Sequence, residues 1–368
     1  MNEEKTMETT RSRKRRGSQA LTLHDRDLQI LHLIYQHRFL DMELMSAFVT
    51  EERETESQAP GADGKHRPRR YGFGEKALYK RLRQLAKAKY LEPHQALARP
   101  MGRGFGGARI AYGLGRASAE AVAAQEGVTV AQVGEIVEAN RVKAPFIQHA
   151  LAVARFRVIL ELACQASGGK VRILFWEQGN VLQDWIWGED WEGEERKFSV
   201  YPDAFFGIEV EGKGRAHYFL ELDRGTMPIV AKGDRSDIRK KVYGFMFYRR
   251  VWKGTPRYLY RTLPDGTVAG VAAADGATLG ESSPLPMQPI KSFRVLFVAP
   301  GATAGTLSER GRIANILCAF PSFGKAIATS TLFWFASLDT FELKRPETLF
   351  QHVWVTPNPD HERKSIIE

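Results

Sequence analysis

The spacing of apolar residues predicts three helices in the first part of the chain, followed by two strands. Over residues 21–49 apolar positions recur at helical spacing, and Asp41 can cap the second of two helices there. A third, amphipathic helix is predicted over 75–89, and strands are predicted over 90–97 and 109–114. Three helices followed by a two-stranded wing is the order of a winged helix-turn-helix domain.

Beyond residue 145 the pattern changes to longer helices that alternate with apolar strands. The predicted order is a helix, three strands, a helix, a strand, a helix and a strand. These elements are predicted at 145–166, 171–176, 204–210, 217–222, 234–251, 293–299, 306–318 and 331–337. The order favours one mixed sheet covered by helices, so the fold class is predicted as α+β or α/β.

The length and apolar content of the chain fit two domains with separate cores, because 43% of the 368 residues are hydrophobic. The predicted division is a disordered basic tail at 1–20, a winged-helix DNA-binding domain at 21–127 with a mobile insertion at about 50–74, a helical linker at 128–145, a second domain at 146–356 and a tail at 357–368.

Several protein classes are excluded by the composition. The two cysteines, Cys164 and Cys318, stand far apart and form neither a disulfide framework nor a zinc-ligand cluster. No apolar run reaches the roughly 18 residues of a membrane span, and the first residues lack the apolar core of a secretory signal. A cytoplasmic location is therefore predicted, with no membrane partner.

Basic residues are concentrated in one segment of the chain. The formal net charge is +10, and residues 61–120 alone carry 14 Lys and Arg against 4 Asp and Glu. The remainder is therefore balanced, and the sequence predicts one basic module suited to a polyanion.

On the helix at 75–89 the apolar and basic side chains occupy opposite faces. Leu78, Leu82 and Leu85 share one face, and the basic stripe centres about 180° away. The predicted contacts to double-stranded DNA are Lys76, Tyr79, Lys80, Arg81, Arg83 and Lys87 on this helix and Arg103 and Arg109 in the wing. The alternative is a solvated charged surface on a protein that binds another protein.

The most apolar hairpin of the chain, at residues 201–227, carries three carboxylates. Asp203 opens its first strand, and Glu221 and Asp223 close the second, two residues apart and on the same face. A carboxylate in such a strand needs a cation or hydrogen bonds to compensate for lost solvation. The sequence predicts either a hard oxygen site for Mg²⁺ or Mn²⁺, or solvated strand ends with Arg224 paired to one carboxylate.

An acidic, tryptophan-rich segment at 185–196 precedes this hairpin. Trp185, Trp187 and Trp191 favour a surface lobe that packs on itself over a platform on which bases stack.

Two resemblances attach to these residues. Pro202-Asp203, followed by Glu221-Leu222-Asp223, resembles the PD-(D/E)xK nuclease signature. More narrowly, residues 21–354 resemble the bacterial replication-relaxation family of plasmids and mobile elements. The matching features are His149, Trp176-Glu177, Pro202-Asp203-Ala204, the run LELDRGT at 220–226, Lys241 and Tyr243.

The resemblance implies a restriction-endonuclease-like second domain in which Asp203 and Glu221 hold one or two Mg²⁺ or Mn²⁺ ions for phosphodiester hydrolysis. The position of that superfamily's lysine is occupied here by Asp223. Lys240 or Lys241 of the following helix is then expected to supply the ammonium, with Lys232 a further choice. Asp223 becomes a third metal ligand or pairs with Arg224.

Beyond the carboxylates, the resemblance implies accessory positions at His149 and Glu177. It also implies double-stranded DNA as the partner, a plasmid- or nucleoid-associated location, and possible homodimers or complexes with replication, mobilisation or defence proteins. The alternative function is a non-catalytic replication or transcription accessory whose nuclease-like domain serves binding or assembly.

Overall fold

A computed structural model of the chain describes residues 21–49, 75–96, 109–233, 235–254, 257–262, 268–273, 287–300, 311–358 and 362–368. The tail predicted at 1–20, the insertion predicted at about 50–74 and Arg103 lie outside these ranges. The helices are α1 (Asp25–His37), α2 (Met42–Val49), α3 (Glu75–Lys87), α4 (Ala119–Glu126), α5 (Val130–Ala139), α6 (Ala144–Ala166), α7 (Ile238–Gly254), α8 (Arg312–Ala319) and α9 (Lys325–Ala328). The strands are β1 (Leu40–Asp41), β2 (Leu91–Ala96), β3 (Arg109–Leu114), β4 (Val171–Glu177), β5 (Asp184–Glu189), β6 (Glu195–Val200), β7 (Ala204–Val210), β8 (Gly214–Leu222), β9 (Tyr258–Thr262), β10 (Val268–Ala273), β11 (Met287–Pro289), β12 (Arg294–Ala299), β13 (Phe333–Ser337), β14 (Trp354–Val355) and β15 (Arg363–Lys364).

The first unit packs α1, α2 and α3 around a small antiparallel sheet of order β1-β3-β2. The predicted cap of α2 is confirmed, since Oδ1 of Asp41 accepts a hydrogen bond from the backbone N–H of Leu44 at 3.0 Å. The apolar stripe of α3 is also confirmed. Leu78, Leu82 and Leu85 are fully buried in the core of this unit.

Residues 128–145 were predicted as a helical linker, and the structure corrects this. Helix α5 packs against α4, and its Val133 and Val137 are buried in the core that contains α1 and α3. Thr129 begins the helix with a capping box, in which its hydroxyl accepts from the backbone N–H of Gln132. The apolar face of α5 is therefore buried against the first unit.

The second unit is built on a seven-stranded mixed sheet of order β15-β14-β13-β12-β8-β7-β4. The central strands β8, β12 and β13 run parallel, and the outer pairs are antiparallel. One face packs against α6 and the other against α7 and α8. The described chain is therefore a mixed α and β structure, as the sequence predicted at this level.

Two segments of the second unit differ from the sequence-based prediction. The Gly-, Ala- and Pro-rich composition of residues 261–289 is typical of a loop, but β10 and β11 pair with β9 in a separate three-stranded sheet. Residues 357–368 were predicted as a tail, but β15 pairs with β14 at the edge of the main sheet. Ile366 is 1% exposed and joins the core under α6. Both corrections involve short strands in segments whose composition resembles that of loops, and each strand is recognisable only from its pairing.

None of the helices in the described ranges is long and apolar enough to cross a membrane.

Candidate functional site

The alternation of side chains along β8 decides where its acidic residue points. Leu220 and Leu222 lie on the α6 face of the sheet, whereas Phe219 lies on the α7 face. Glu221 shares the parity of Phe219, so its side chain is directed towards α7. It is 3% exposed, and this burial requires a compensating cation.

Lys241 of α7 supplies that cation. Its Nζ contacts Oε2 of Glu221, and the lysine side chain remains 27% exposed. Glu221 is thus bonded from the helix that follows the hairpin. The sequence offered Lys240 and Lys241 for this place, and the structure puts Lys241 there.

Asp203 reaches the same end of the hairpin from β7. Its Oδ1 lies 2.7 Å from Nε2 of His149 on α6, and its Oδ2 accepts from the backbone N–H of Leu222 at 2.7 Å. Its own N–H donates to the carbonyl of Leu220. These bonds fix the Asp203 carboxylate beside the last residues of β8, next to Glu221.

The two carboxyl groups have pKa values shifted in opposite directions. Burial opposes ionisation of Asp203, but the hydrogen bond from His149 and the charges of His149 and Lys241 hold the pKa of Asp203 below its usual range. Burial raises the pKa of Glu221 to about 7, with repulsion from Asp203 added and the charge of Lys241 opposing. Burial would lower the pKa of Lys241, but the charges of Glu221 and Asp203 raise it. Shifts of this kind, produced by burial and specific charges, mark candidate functional sites.

Asp223 has a different set of partners from the other two carboxylates. Its Oδ2 accepts a hydrogen bond from Nε of Arg312 on α8, and its Oδ1 accepts from the backbone N–H of Gly225 at 2.9 Å. Arg312 also donates to the carbonyl of Met227, so it pins the loop that leaves β8. Asp223 is therefore held in an ion pair. Its partner is Arg312 rather than the neighbouring Arg224, which donates to Gln148 at 3.4 Å.

Lys240 lies outside this constellation, which corrects its prediction as a candidate for the lysine. Its Nζ donates to the carbonyls of Gly233 at 2.6 Å and Arg235 at 2.8 Å, because successive residues of a helix point about 100° apart. Lys232 is exposed on the loop before α7. Glu177 is the last residue of β4 and is in register with Phe205.

The carboxylates line a cleft of about 240 Å³ at the carboxyl end of β8. Asp203, Glu221, Asp223 and Lys241 line it, together with His149 and Phe146 of α6. Phe146 is 64% exposed. In sheets with parallel strands, the carboxyl ends of the strands are where ligands commonly bind.

The carboxylates of the cleft are the candidate ligands for the predicted Mg²⁺ or Mn²⁺. Among the described residues, no group of three or more His, Cys, Asp and Glu side chains is arranged to hold a metal ion. Asp203 and Glu221 remain as a pair of carboxylates in one cleft. One or two carboxylates, completed by waters and substrate phosphates, is the usual donor set for Mg²⁺. Asp203 and Glu221 are thus the two carboxylates of this cleft that could hold such an ion, because Asp223 is paired with Arg312.

The predicted basic stripe of α3 is a solvent-facing surface. Lys76, Lys80, Arg83 and Lys87 are exposed, and Tyr79 is 44% exposed with the Arg83 guanidinium 5.8 Å from its ring centre. Arg81 does not belong to this surface, which corrects its prediction as a DNA contact. It forms a forked ion pair with the buried Asp27 of α1 and donates to the carbonyl of Thr22. Arg109 begins β3 in register with Ala96.

Sequence reasoning missed one residue that lines the cleft, Phe146, and one that bonds a cleft carboxylate, Arg312. Arg312 contacts Asp223 across 89 positions of sequence, so no local pattern connects them. Phe146 begins an apolar helix, where nothing in the sequence distinguishes an exposed aromatic from a buried one.

Comparison with known proteins gives one match. Residues 31–256 match the family model described as replication-relaxation, a span that covers most of the first unit and the hairpin with its flanking helices. No curated protein and no solved structure matches the chain.

Proposed function

Because the chain belongs to the replication-relaxation family, we propose that it is a DNA-binding protein of a bacterial plasmid or mobile element whose second unit is a metal-dependent nuclease. The observation that carries the proposal is the cleft in which the Glu221–Lys241 pair lies beside Asp203. The family description connects the chain with replication, and the chemistry is inferred from the residues.

The arrangement of the first unit supports DNA binding. Its elements occur in the order helix, short strand, helix, helix and two antiparallel strands, which is the order of a winged helix. In that order α3 corresponds to the recognition helix. Its exposed stripe contains four basic side chains, which are Lys76, Lys80, Arg83 and Lys87. Such a stripe can neutralise phosphates along a groove.

The arrangement of the second unit supports a nuclease. The core order of the PD-(D/E)xK superfamily is a helix, an antiparallel meander of three strands, a helix and a parallel strand. The second unit contains these elements in that order as α6, β4, β7, β8, α7 and β12. The lysine of that signature is absent from β8, where Asp223 stands, but Lys241 of α7 delivers an ammonium to the same carboxylate pair.

Each residue of the cleft then has a chemical role. Asp203 and Glu221 would hold Mg²⁺ or Mn²⁺, whose chemistry is to polarise a phosphoryl oxygen and to acidify water. His149 donates to Asp203 and keeps that carboxylate ionised and oriented. The Lys241 ammonium offsets the negative charge that develops on the phosphate during hydrolysis. Arg312 holds Asp223 and the loop that follows β8.

The test is incubation of the purified protein with supercoiled plasmid in Mg²⁺, in Mn²⁺ and in chelator. The wild-type chain is expected to give open-circular or linear DNA that requires metal. Lys241→Met should lower the rate by at least about a hundredfold, the usual effect of losing a charge aimed at the transition state. Lys240→Met is the matched control, since its ammonium bonds loop carbonyls, and it should retain activity.

Metal-dependent cleavage at the wild-type rate by Lys241→Met would place the chemistry elsewhere. The absence of product from the wild-type chain, with DNA binding retained, would favour the second candidate, a non-catalytic accessory. That candidate is supported by the pairing of both carboxylates with His149 and Lys241, which fills their charge requirement within the fold.

A further inference from the structure

The hairpin of β5 and β6 has one face that packs on the second unit. Ile186 and Phe198 are buried, and both strands contact α7. Gly188 lies against the ring of Phe247, where a Cβ atom would come within 2.5 Å of the ring. The hairpin is therefore seated firmly through this inner face.

The outer face of the hairpin exposes two tryptophans, contrary to the predicted lobe that packs on itself. Trp185 is 46% exposed and Trp187 is 60% exposed. They alternate with Ile186 and so share the face that points away from α7. Two large aromatic side chains left in water on one sheet face mark an interaction surface, because soluble proteins usually bury such area.

The charge around these tryptophans is negative in an otherwise basic protein. Residues 184–200 contain six acidic residues against two basic ones, whereas the whole chain has a net charge of +10. Asp184 and Asp190 pair with Arg257 and Arg196, so the charges on the tryptophan face itself are those of Glu189, Glu195 and Lys197. Glu189 and Glu195 are exposed register partners on the tryptophan face, directly across the two strands. Like charges in this position destabilise a hairpin, and a cation placed between them would relieve the repulsion.

The chain itself shows how a tryptophan of this face receives a cation. Nζ of Lys197 lies 4.7 Å from the ring centre of Trp185, a cation–π contact. Trp187 is the more exposed of the two rings, and it lies between Trp185 and Glu189 along β5. The face thus offers a further aromatic ring followed by a carboxylate pair.

We propose that this outer face, formed by Trp185, Trp187, Glu189 and Glu195, docks an extended segment of a partner protein that carries arginine or lysine at alternate positions. Alternate residues repeat about every 6.6 Å both in an extended peptide and along β5. Guanidinium and ammonium groups stack on aromatic rings and pair with carboxylates, so one peptide can satisfy the rings and the glutamates together. Single-stranded nucleic acid also stacks on aromatic side chains, but its phosphates would face the excess of carboxylates.

The test uses the full chain and two labelled probes, a synthetic peptide that alternates arginine and alanine and a single-stranded oligothymidine, with fluorescence anisotropy as the readout. The wild-type chain should bind the peptide. Trp187→Ala, and separately Glu189→Gln with Glu195→Gln, should each weaken peptide binding about tenfold, the effect of losing a desolvated cation–π or ion-pair contact.

Glu211→Gln is the matched control, because it removes one exposed carboxylate from a different hairpin turn and should leave peptide affinity unchanged. Plasmid binding by the Trp187→Ala variant should also be unchanged, which separates this surface from the basic stripe of α3. The proposal is overturned if the wild-type chain does not bind the peptide, if Trp187→Ala binds it equally well, or if Trp187→Ala loses the oligothymidine instead.

Discussion

Glu221 and Lys241 form a pair in which each residue requires the other. Burial on the sheet raises the pKa of Glu221 to about 7, and the lysine charge opposes that rise. Without Lys241, the carboxyl would be held in its neutral form more firmly and would be a poorer donor for a cation. Lys241 therefore acts on the ionisation of Glu221.

His217 is a second buried titratable residue of the same hairpin, and it has a structural role. Its Nδ1 lies 3.1 Å from the carbonyl of Ser292, and its Nε2 faces the hydroxyl of Tyr260. Burial lowers the pKa of His217 to about 4, with the Ser292 carbonyl opposing and the charge of Arg215 adding to the shift. The neutral ring fits this environment, since one nitrogen donates to the carbonyl and the other accepts from the tyrosine.

The depressed pKa predicts a loss of stability in acid. The unfolded chain takes up a proton on His217 near its ordinary pKa of about 6.5, whereas the folded chain resists protonation until about pH 4. Stabilisation by His217 is therefore complete above about pH 6.5 and is lost as the pH falls towards 4. The loss amounts to about 3 kcal/mol.

The measurement is the free energy of unfolding of wild-type and His217→Gln proteins from pH 7 to pH 4, by urea denaturation. The free energy of unfolding of the wild-type protein minus that of His217→Gln should decrease by about 3 kcal/mol from pH 7 to pH 4, because all other groups titrate equally in the two proteins. A difference that does not vary with pH would contradict the assignment.

At the scale of elements, α3 combines a buried leucine stripe with an exposed basic one. This separation follows from helix geometry and was predictable from spacing. The ion pair of Arg81 with Asp27, which turns Arg81 away from the exposed surface, was not predictable from spacing. Arg81 turns inwards because Asp27 of α1 is buried and needs a partner.

The exposed stripe predicts a salt-dependent contact with DNA. Lys80→Ala with Arg83→Ala should weaken DNA binding and reduce the slope of log affinity against log salt by about two, since each lost phosphate contact removes nearly one. Lys170→Ala with Lys213→Ala removes the same charge from the end of the main sheet opposite the cleft, where both residues are exposed. A slope reduced equally by both pairs would show a general charge effect instead.

At the scale of the whole molecule, α6 belongs to both units. Its Val158 lies in the core of the first unit, and its Phe156 and Ile159 lie under the main sheet. Polar contacts reinforce this junction. Nε2 of the fully buried His37 lies 3.0 Å from Oε2 of Glu161, and Nε of Arg157 donates to Oε1 of the same carboxylate. The helix that carries His149 is thus anchored by both units.

This junction predicts that the units stabilise each other. Glu161→Ala leaves Nε2 of His37 and Nε of Arg157 without their acceptor and should lower the free energy of unfolding by about 2 kcal/mol. Glu138→Ala is the control, because its pair with Arg141 is 63% and 56% exposed and should contribute less than about 0.5 kcal/mol. Equal losses in the two variants, measured by urea denaturation, would show that the junction adds nothing.

The family, the amphipathic α3, the hairpin and its carboxylates follow from the sequence alone, because each depends on neighbours in the chain. Helical spacing separates leucine from lysine, strand alternation fixes the face of Glu221, and the run LELDRGT carries the resemblance that the family match confirms.

Contacts between distant elements were decided only by the tertiary structure. The rotation of α7 on the sheet selects Lys241 over Lys240, and α8 brings Arg312 to Asp223. The seating of the β5–β6 hairpin on α7 likewise leaves Trp187 in solvent. Each outcome depends on packing between segments separated in sequence, and a local pattern of residue types does not encode the orientation of one element on another.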